Sequence, residues 1–525
     1  MERIARAIFA ALLEDPLTHM GNDLSTFIRI VLDGDRVAPP GGGPDRSEAL
    51  RAFAFLQDFA KDKVIYGITT GFGPLAQQRI AQEDTREAQY NLVRSHASGA
   101  GNPLPDSAVR AMLLARLHTF LIGRSGVSPA VIDQIIYFLD HGVHPTVPEH
   151  GGVGASGDLV QQAHMALGLI GEGTANHKGE RRSTAEILRE LGRAPMQLQL
   201  RDGLGLLNGT ACMTGIGIIN LHRAQLLLDR AIAMGALLNE IVGPFDDHLS
   251  ASLNGAKRHL GQNEVAARMR QALTGSSQTR SQHERFITGA GHGDVYNERI
   301  QENYSIRCVP QVLGPILDTM RQCGTVLQDE LGSVDDNPVI DMTDGSVHHG
   351  GNFHGDQISI EMDKLKLAMV KLCMLTERQL NFLLNERVNG RFPAFLRMGR
   401  AGIDHGLQGM QFTAVSTTAE CQALSTSLYV HSIPNNNDNQ DIVSMGTNAA
   451  LMTSRVIDNT AQVMAVHALA LAQAVDLTGG ISSFSPAGRA FHAEVRGSSG
   501  PIVSSSVHAE ALANVKNTLF FPSAL

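Results

Sequence analysis

"EHGGVGASGDLVQQAHMALGLIGEG", Glu149 to Gly173, passes from a stretch almost bare of side chains into an apolar run with helical spacing. Gly151, Gly152, Gly154 and Gly157 surround Ala155-Ser156, and Asp158 stands where a helix N-cap belongs. Gly152 to Gly157 matches the G-x-G-x-x-G pattern of dinucleotide sites. Such a site needs a buried strand just before its first glycine, and "HGVHPTVPEHGG" carries Pro145 and Pro148, which cannot serve in a central strand. A loop closed by an Asp158 cap accounts for the aspartate and leaves so much glycine unexplained. The tripeptide has a chemistry of its own. If the Gly157 nitrogen attacks the Ala155 carbonyl carbon, a five-membered ring closes. Loss of water, with dehydration of Ser156 across Cα and Cβ, then leaves an exocyclic methylidene, which is an electrophile. Only small residues permit so tight a backbone, and helix N-termini aimed at the ring would draw electron density from it.

Outward from this stretch the pattern is mostly helical. Apolar residues recur three and four apart in "EALRAFAFLQDFAKDKVI" (48–65) and "DSAVRAMLLARLHTFLIG" (106–123). After Asn208, runs such as "GIGIINLHRAQLLLDRAIAMGALLNEIV" and "MDKLKLAMVKLCMLTERQLNFLLNERV" have the length of bundle helices. The expected class is mainly α: a smaller mixed N-terminal domain over 1–220 carrying the Ala-Ser-Gly loop, then a long-helix bundle over 221–525. The polar stretch 274–310 is expected to be a mobile loop leading to a functional turn. Strands should be few, confined to short pieces such as "SVHHGGNFHG".

Composition narrows the partners. Of 525 residues, 43% are hydrophobic and 18% charged, with a net charge of -9, so no basic face is offered to nucleic acid or an anionic membrane. Small molecules or further copies of the chain are the expected partners. The five cysteines show no C-x-x-C spacing, which suits a reducing compartment. The N-terminal "MERIARAIFAALLEDPL" reads as an amphipathic helix, not a signal peptide. No apolar stretch is expected to reach the ~18 residues of a membrane span, and the expected location is the cytoplasm.

"GGVGASGDL" resembles the self-processed Ala-Ser-Gly loop of the histidine, phenylalanine and tyrosine ammonia-lyase family. Other motifs agree with it: "VIYGITTGFGP" (64–74) is similar to the family's tyrosine loop, "GLLNGT" (205–210) to its asparagine motif, and "QENYSIRCVPQ" (301–311) to its Tyr-Ser-x-Arg segment. "DDNPVI" from Asp335, "GGNFHG" around Phe353 and "NNNDNQDIVSMG" from Asn435 complete a likeness that spans roughly residues 60 to 450. The resemblance implies a 4-methylideneimidazole-5-one (MIO) group formed autocatalytically from Ala155-Ser156-Gly157, with no external cofactor or metal. It also implies a homotetramer whose active sites draw on three chains. Against it stands a non-enzymatic alternative, a helical dinucleotide-binding or scaffold protein, in which Ser156 stays intact.

Eliminating ammonia from an α-amino acid requires removal of an unactivated β-proton and expulsion of an amine. The resemblance implies that the ring electrophile captures the amine and that Tyr66 is the general base, working as a phenolate that a nearby cation or positive helix end would favour. It further implies that Arg307 grips the carboxylate, that Tyr304 assists near the ring or amine, and that Asn208 serves the carboxylate or ring carbonyl. Gln301 is expected to hold the amino group and Phe353 to wall the pocket. His348, His349 and His354 lack metal-ligand spacing and read as loop histidines. For the substrate, Ser95-His96 resembles the Ser-His pair of histidine enzymes. Gln440 stands where those enzymes usually carry glutamate, and a neutral amide cannot compensate a charged imidazole. Tyrosine, giving 4-coumarate and ammonia, is therefore expected. The alternatives are histidine giving urocanate, phenylalanine, or a 2,3-aminomutase on the same scaffold.

Overall fold

The computed structural model describes residues 22–38, 42–287, 299–503 and 507–521, and over them the chain is mainly α, as the apolar spacing predicts. The N-terminal amphipathic segment and the middle of the polar 274–310 stretch lie outside the described residues. The rest of that stretch contains two short helices, Gln282–Ile287 and Tyr304–Arg307. The helices that position the site are α1 (Thr85–His96), α2 (Asp106–Leu121), α3 (Leu159–Leu169), α4 (Ala211–Val242), α5 (Val309–Leu331), α6 (Asp356–Leu384), α7 (Gln408–Ala423) and α8 (Gly446–Leu477). The run 48–65 is helical only over Ser47–Phe59, because past Phe59 the residues Lys61, Asp62 and Lys63 are exposed and bring no apolar face to bury.

α4 packs against α2, α5, α6 and α8, and α6 lies along α8. One apolar core runs through them, from Val109 and Leu113 on α2 to Leu227 on α4, Met369 on α6 and Leu469 on α8. Burying one such leucine fully is worth about 1.5–3 kcal/mol, so packing rather than local propensity holds these helices. The sequence division at residue 220 falls inside α4.

α8, with 32 residues, is long and apolar enough to cross a membrane by length and composition alone, but Arg455, Asp458 and Asp476 break it, so no uninterrupted apolar stretch reaches a span's length. Within α8 the Thr453 and Thr460 hydroxyls bond back to the carbonyls of Ala449 (2.8 Å) and Val456 (2.7 Å). Most of α8 is buried inside the protein against α4 and α6. Asn220 of α4 reaches the Ala450 carbonyl at 2.8 Å and receives Ser454 at 2.7 Å.

Strands are short: β1 (Ala100–Pro103), β2 (Val143–Pro145), β3 (Pro148–His150), β4 (Thr174–His177), β5 (Glu180–Ser183), β6 (Val339–Asp341) and β7 (Ser346–His348). They form antiparallel pairs β1-β3 and β6-β7 and a three-stranded sheet in the order β2-β4-β5. Pro145 ends an edge strand and Pro148 begins a strand of a two-stranded pair, the places where a missing N–H costs least. No buried parallel strand precedes Gly152, so the dinucleotide alternative lacks its scaffold.

Candidate active site

Four helices begin around the glycine-rich loop. α3 starts directly after it. The Asp158 N–H, entering α3, donates to the Gly209 carbonyl at 2.8 Å, just before α4. Gly355, leading into α6, donates to the Gly154 carbonyl at 3.1 Å, and Met445, leading into α8, to that of Val153 at 3.0 Å. The positive ends of four helix dipoles thus gather at Ala155-Ser156-Gly157. Asp158 does more than its place in the sequence suggests. Its side chain makes no cap bond within α3; it accepts from Met213 N–H at 2.9 Å in the first turn of α4 and from the Thr447 hydroxyl in the first turn of α8. Complete burial pushes its carboxyl up to about 6, against the pull of those two donors.

The glycines are needed for approach, not for slack. Gly154 and Gly157 have φ of +75° and +73°. A Cβ on Gly157 would run into the Gly209 carbonyl, and one on Gly154 into the Ser444 hydroxyl. Asn208 donates to the Ser156 carbonyl at 3.2 Å, the oxygen that becomes the ring carbonyl if the loop cyclises, and its Oδ1 is buried with no partner among the described residues. Gln440 donates to the Ser156 hydroxyl at 2.9 Å. A cradle closed to any Cβ, a donor on the carbonyl and an unpaired buried acceptor fit an MIO group built from these three residues. Gly157→Ala is expected to lower Tm measurably in thermal unfolding, since the left-handed backbone alone costs about 1–2 kcal/mol and the Gly209 contact adds to it. The same chain should keep the unmodified mass.

Sequence reasoning missed what holds the Asn208 turn. Arg116, wholly buried on α2, donates to the carbonyl of Asn208 at 2.6 Å and pairs with Asp335 at 2.6 Å. Asp335 also accepts from Thr119 at 2.9 Å and from Thr210 N–H at 2.6 Å. Asp336, in the same "DDNPVI" motif, faces Arg201 at 3.5 Å, and both are buried. Gln162 reaches over from α3 to the Gly209 carbonyl at 2.6 Å.

Six of the sequence-derived residues, Tyr66, Ser95, His96, Ser156, Asn208 and Gln440, line one cavity of ≈ 770 Å³. Ile65 and Ile68 bury themselves beside Tyr66 in a small apolar cluster with Leu56 and Ile340, and the Tyr66 hydroxyl accepts from Gly73 N–H at 2.8 Å. At the C-terminal end of α1, His96 Nδ1 lies 3.0 Å from the Leu92 carbonyl, which can only accept, so Nδ1 carries a proton and in the neutral ring Nε2 is the acceptor. Ser95 sits 3.1 Å from the same Nδ1. The Gln440 loop is a tight turn: Asn435 and Gln440 exchange backbone bonds, and Asn436, Asn437 and Asp438 all have φ between 55° and 57°. Asparagine and aspartate tolerate that conformation better than other L-residues. Apolar walls come from Phe72, Ile80, Leu92, Leu159 and Leu204, and among the described residues no charged side chain lines the cavity.

Gln301, Tyr304, Arg307 and Phe353 are not brought into that cavity. Gln301 and Arg307 line a separate one of ≈ 230 Å³ with Phe245 and His248. Tyr304 is 70% exposed, with the Arg307 guanidinium 4.6 Å over its ring. Arg307 Nε is buried and unpaired, and no carboxylate among the described residues pairs with this side chain. Phe353 is half-buried on the loop before α6. The three loop histidines have separate partners. His348 sits with Asp341 and Asp344 on the exposed β6-β7 hairpin, His349 Nε2 accepts from Tyr66 N–H at 3.2 Å, and His354 lies 3.5 Å from Asp356. Burial, with Arg201 and His348 adding to it, lowers His349 from the ordinary histidine value.

The aromatic amino acid lyase family model matches residues 43–497. Tyrosine ammonia-lyase of Cupriavidus metallidurans is 39% identical over 459 residues, 84% of either chain. Histidine ammonia-lyase of Koribacter versatilis is also 39% identical, over 82% of this chain and 84% of that one. The solved phenylalanine aminomutase of Pantoea agglomerans superposes with a TM-score of 0.90 at 31% identity, covering 95% of this chain and 97% of its own. A glycine loop fed by four helix ends, a tyrosine loop and an apolar cavity ending in Ser-His accompany that likeness, and the chain belongs to the aromatic amino acid lyase family, enzymes that act on the carbon–nitrogen bond of aromatic amino acids.

Proposed function

We propose that the chain is an L-tyrosine ammonia-lyase, releasing 4-coumarate and ammonia, and that it works in the cytoplasm as a homotetramer. The observation that carries this reading is His96 at the cavity wall, with Nδ1 committed to Leu92 and Nε2 left as an acceptor. An acceptor there suits the phenol O–H of tyrosine, and a site built for that hydroxyl rejects phenylalanine because the acceptor is left bare. Gln440, and a cavity wall with no charged side chain among the described residues, weigh against a cationic imidazole.

When formed, the MIO group supplies an electrophilic carbon that makes the substrate amine a leaving group. Around it, Asn208 holds the Ser156 carbonyl and Gln440 the Ser156 side-chain position. Tyr66 takes the β-proton, with the Gly73 N–H fixing the position of its oxygen. Ser95 and His96 hold the substrate ring at its far end, and Tyr304 assists at the amine end. A zwitterionic substrate needs a cation for its carboxylate, and among the described residues the cavity has none. Arg307 meets that need from a neighbouring copy, with Tyr304 and Gln301 beside it, and Phe353 closes the wall in the same assembly. The unpaired Nε of Arg307 supports that role. The five free cysteines, four of them buried, support a reducing compartment.

Turnover of L-tyrosine, L-histidine and L-phenylalanine, followed by product absorbance, tests the substrate: 4-coumarate should dominate, and exclusive urocanate formation overturns the tyrosine assignment. Appearance of a β-amino acid by chiral chromatography would make the enzyme an aminomutase instead. His96→Leu should cut the preference for tyrosine over phenylalanine by about 10- to 100-fold, the scale of one buried hydrogen bond, read from kcat/KM for the two substrates.

A further inference from the structure

Thr210 closes the turn that carries Asn208, and its hydroxyl stands between two carboxyl groups, Glu330 Oε1 at 2.5 Å and Asp335 Oδ2 at 3.0 Å. A hydroxyl has a single proton to give and otherwise accepts. Were both carboxyls anions, one of these close pairs would set lone pairs against lone pairs. Asp335 is the committed anion, since it takes Arg116, Thr119 and the Thr210 N–H besides. Glu330 has no such support: among the described residues Thr210 is its one side-chain hydrogen-bond partner, and no lysine or arginine pairs with it. The groups facing it are Thr210 at the head of α4, Asp335 with its Arg116 partner from α2, and Asp158 at the head of α3. Burial, then the two negative charges, pushes its carboxyl up to about 7 against the bond to Thr210.

We propose that Glu330 is held as the neutral acid, donates its proton to the Thr210 hydroxyl, and so fixes the Asn208–Thr210 turn under the Ala155–Gly157 loop as a positioning residue for ring formation. The hydroxyl, relieved of serving Glu330, then donates to Asp335. The turn so fixed presents the Gly209 carbonyl to Asp158 N–H at 2.8 Å and the Asn208 amide to the Ser156 carbonyl at 3.2 Å. This role rests on the ring-forming reading of the loop.

The sign of a pH effect decides it. A carboxyl raised in the folded state contributes stability that is fully present below the ordinary glutamate range and is lost as pH rises through about 7. Glu330→Gln keeps a donor for Thr210 and cannot ionise. The Tm of the wild type should therefore fall relative to Glu330→Gln by a few degrees as pH rises through that value. Intact mass should show the ring's loss of two waters in both chains, slowing at high pH in the wild type alone. A difference of opposite sign, or none that varies with pH, overturns the proposal. Thr210→Val removes the acceptor and should slow ring formation, by mass, at every pH, with Thr210→Ser restoring it; ring formation at the native rate in Thr210→Val also overturns it. A wild-type chain that never loses two waters defeats the ring reading itself, whereas a ring-bearing wild type with the wrong pH sign defeats only the role of Glu330.

Discussion

Ser156→Ala is expected to give a folded chain that forms product at least about 10³-fold more slowly than the wild type, the scale of losing an activated catalytic group. The side chain makes one hydrogen bond, from Gln440 at 2.9 Å, so its loss costs the fold about 1 kcal/mol. The chemistry has no such tolerance. The methylidene arises by expelling the serine hydroxyl, and alanine has none to expel. Circular dichroism should match the wild type, product absorbance should nearly vanish, and intact mass should lack the loss of two waters that the wild type shows. Native rates in this variant would remove the electrophile from Ser156 and with it the assignment of the loop.

Two crippled chains are expected to rescue each other. Arg307→Ala should lower kcat/KM by about 10- to 150-fold, the value of a charge-assisted hydrogen bond of 1.5–3 kcal/mol, and Ser156→Ala leaves almost nothing. Within one chain Ser156 and Arg307 line different cavities. If each site takes its loop from one copy and its arginine from another, random mixing of the two variants during expression restores about a quarter of the sites to full composition. Activity of the mixed preparation should then far exceed the average of its parents. A mixture that stays at that average would place both residues in the service of a single chain.

Much of this was legible in advance because periodicity and short motifs are local properties. The spacing of apolar residues fixes α2, α4 and α6 to within a few residues, and tight-backbone chemistry picks out Gly154 to Gly157. Tyr66, His96, Asn208 and Gln440 are far apart in the chain, yet each sits in a recognisable motif, and the cavity collects them. What stayed hidden depends on long-range pairing. Arg116 and Asp335 are 219 residues apart, and a buried ion pair leaves no pattern in either neighbourhood. Asp158 reads as the cap of its own helix because its partners Met213 and Thr447 are distant in sequence. The place of Arg307 outside the cavity of Tyr66 and Asn208 leaves no local signal in the sequence, since a motif does not say which cavity its side chains join.

α5 begins two residues after Arg307 and ends one residue beyond Glu330. At about 1.5 Å per residue it is a rod of roughly 35 Å with Arg307, the proposed carboxylate-binding group, near one end and Glu330, the proposed prop of the Asn208 turn, near the other. Inserting or deleting a single residue within it would swing one end about 100° around the axis relative to the other. The helix therefore acts as a gauge whose length is not negotiable, and changes in chain length between kindred enzymes should be confined to the loops on either side of it.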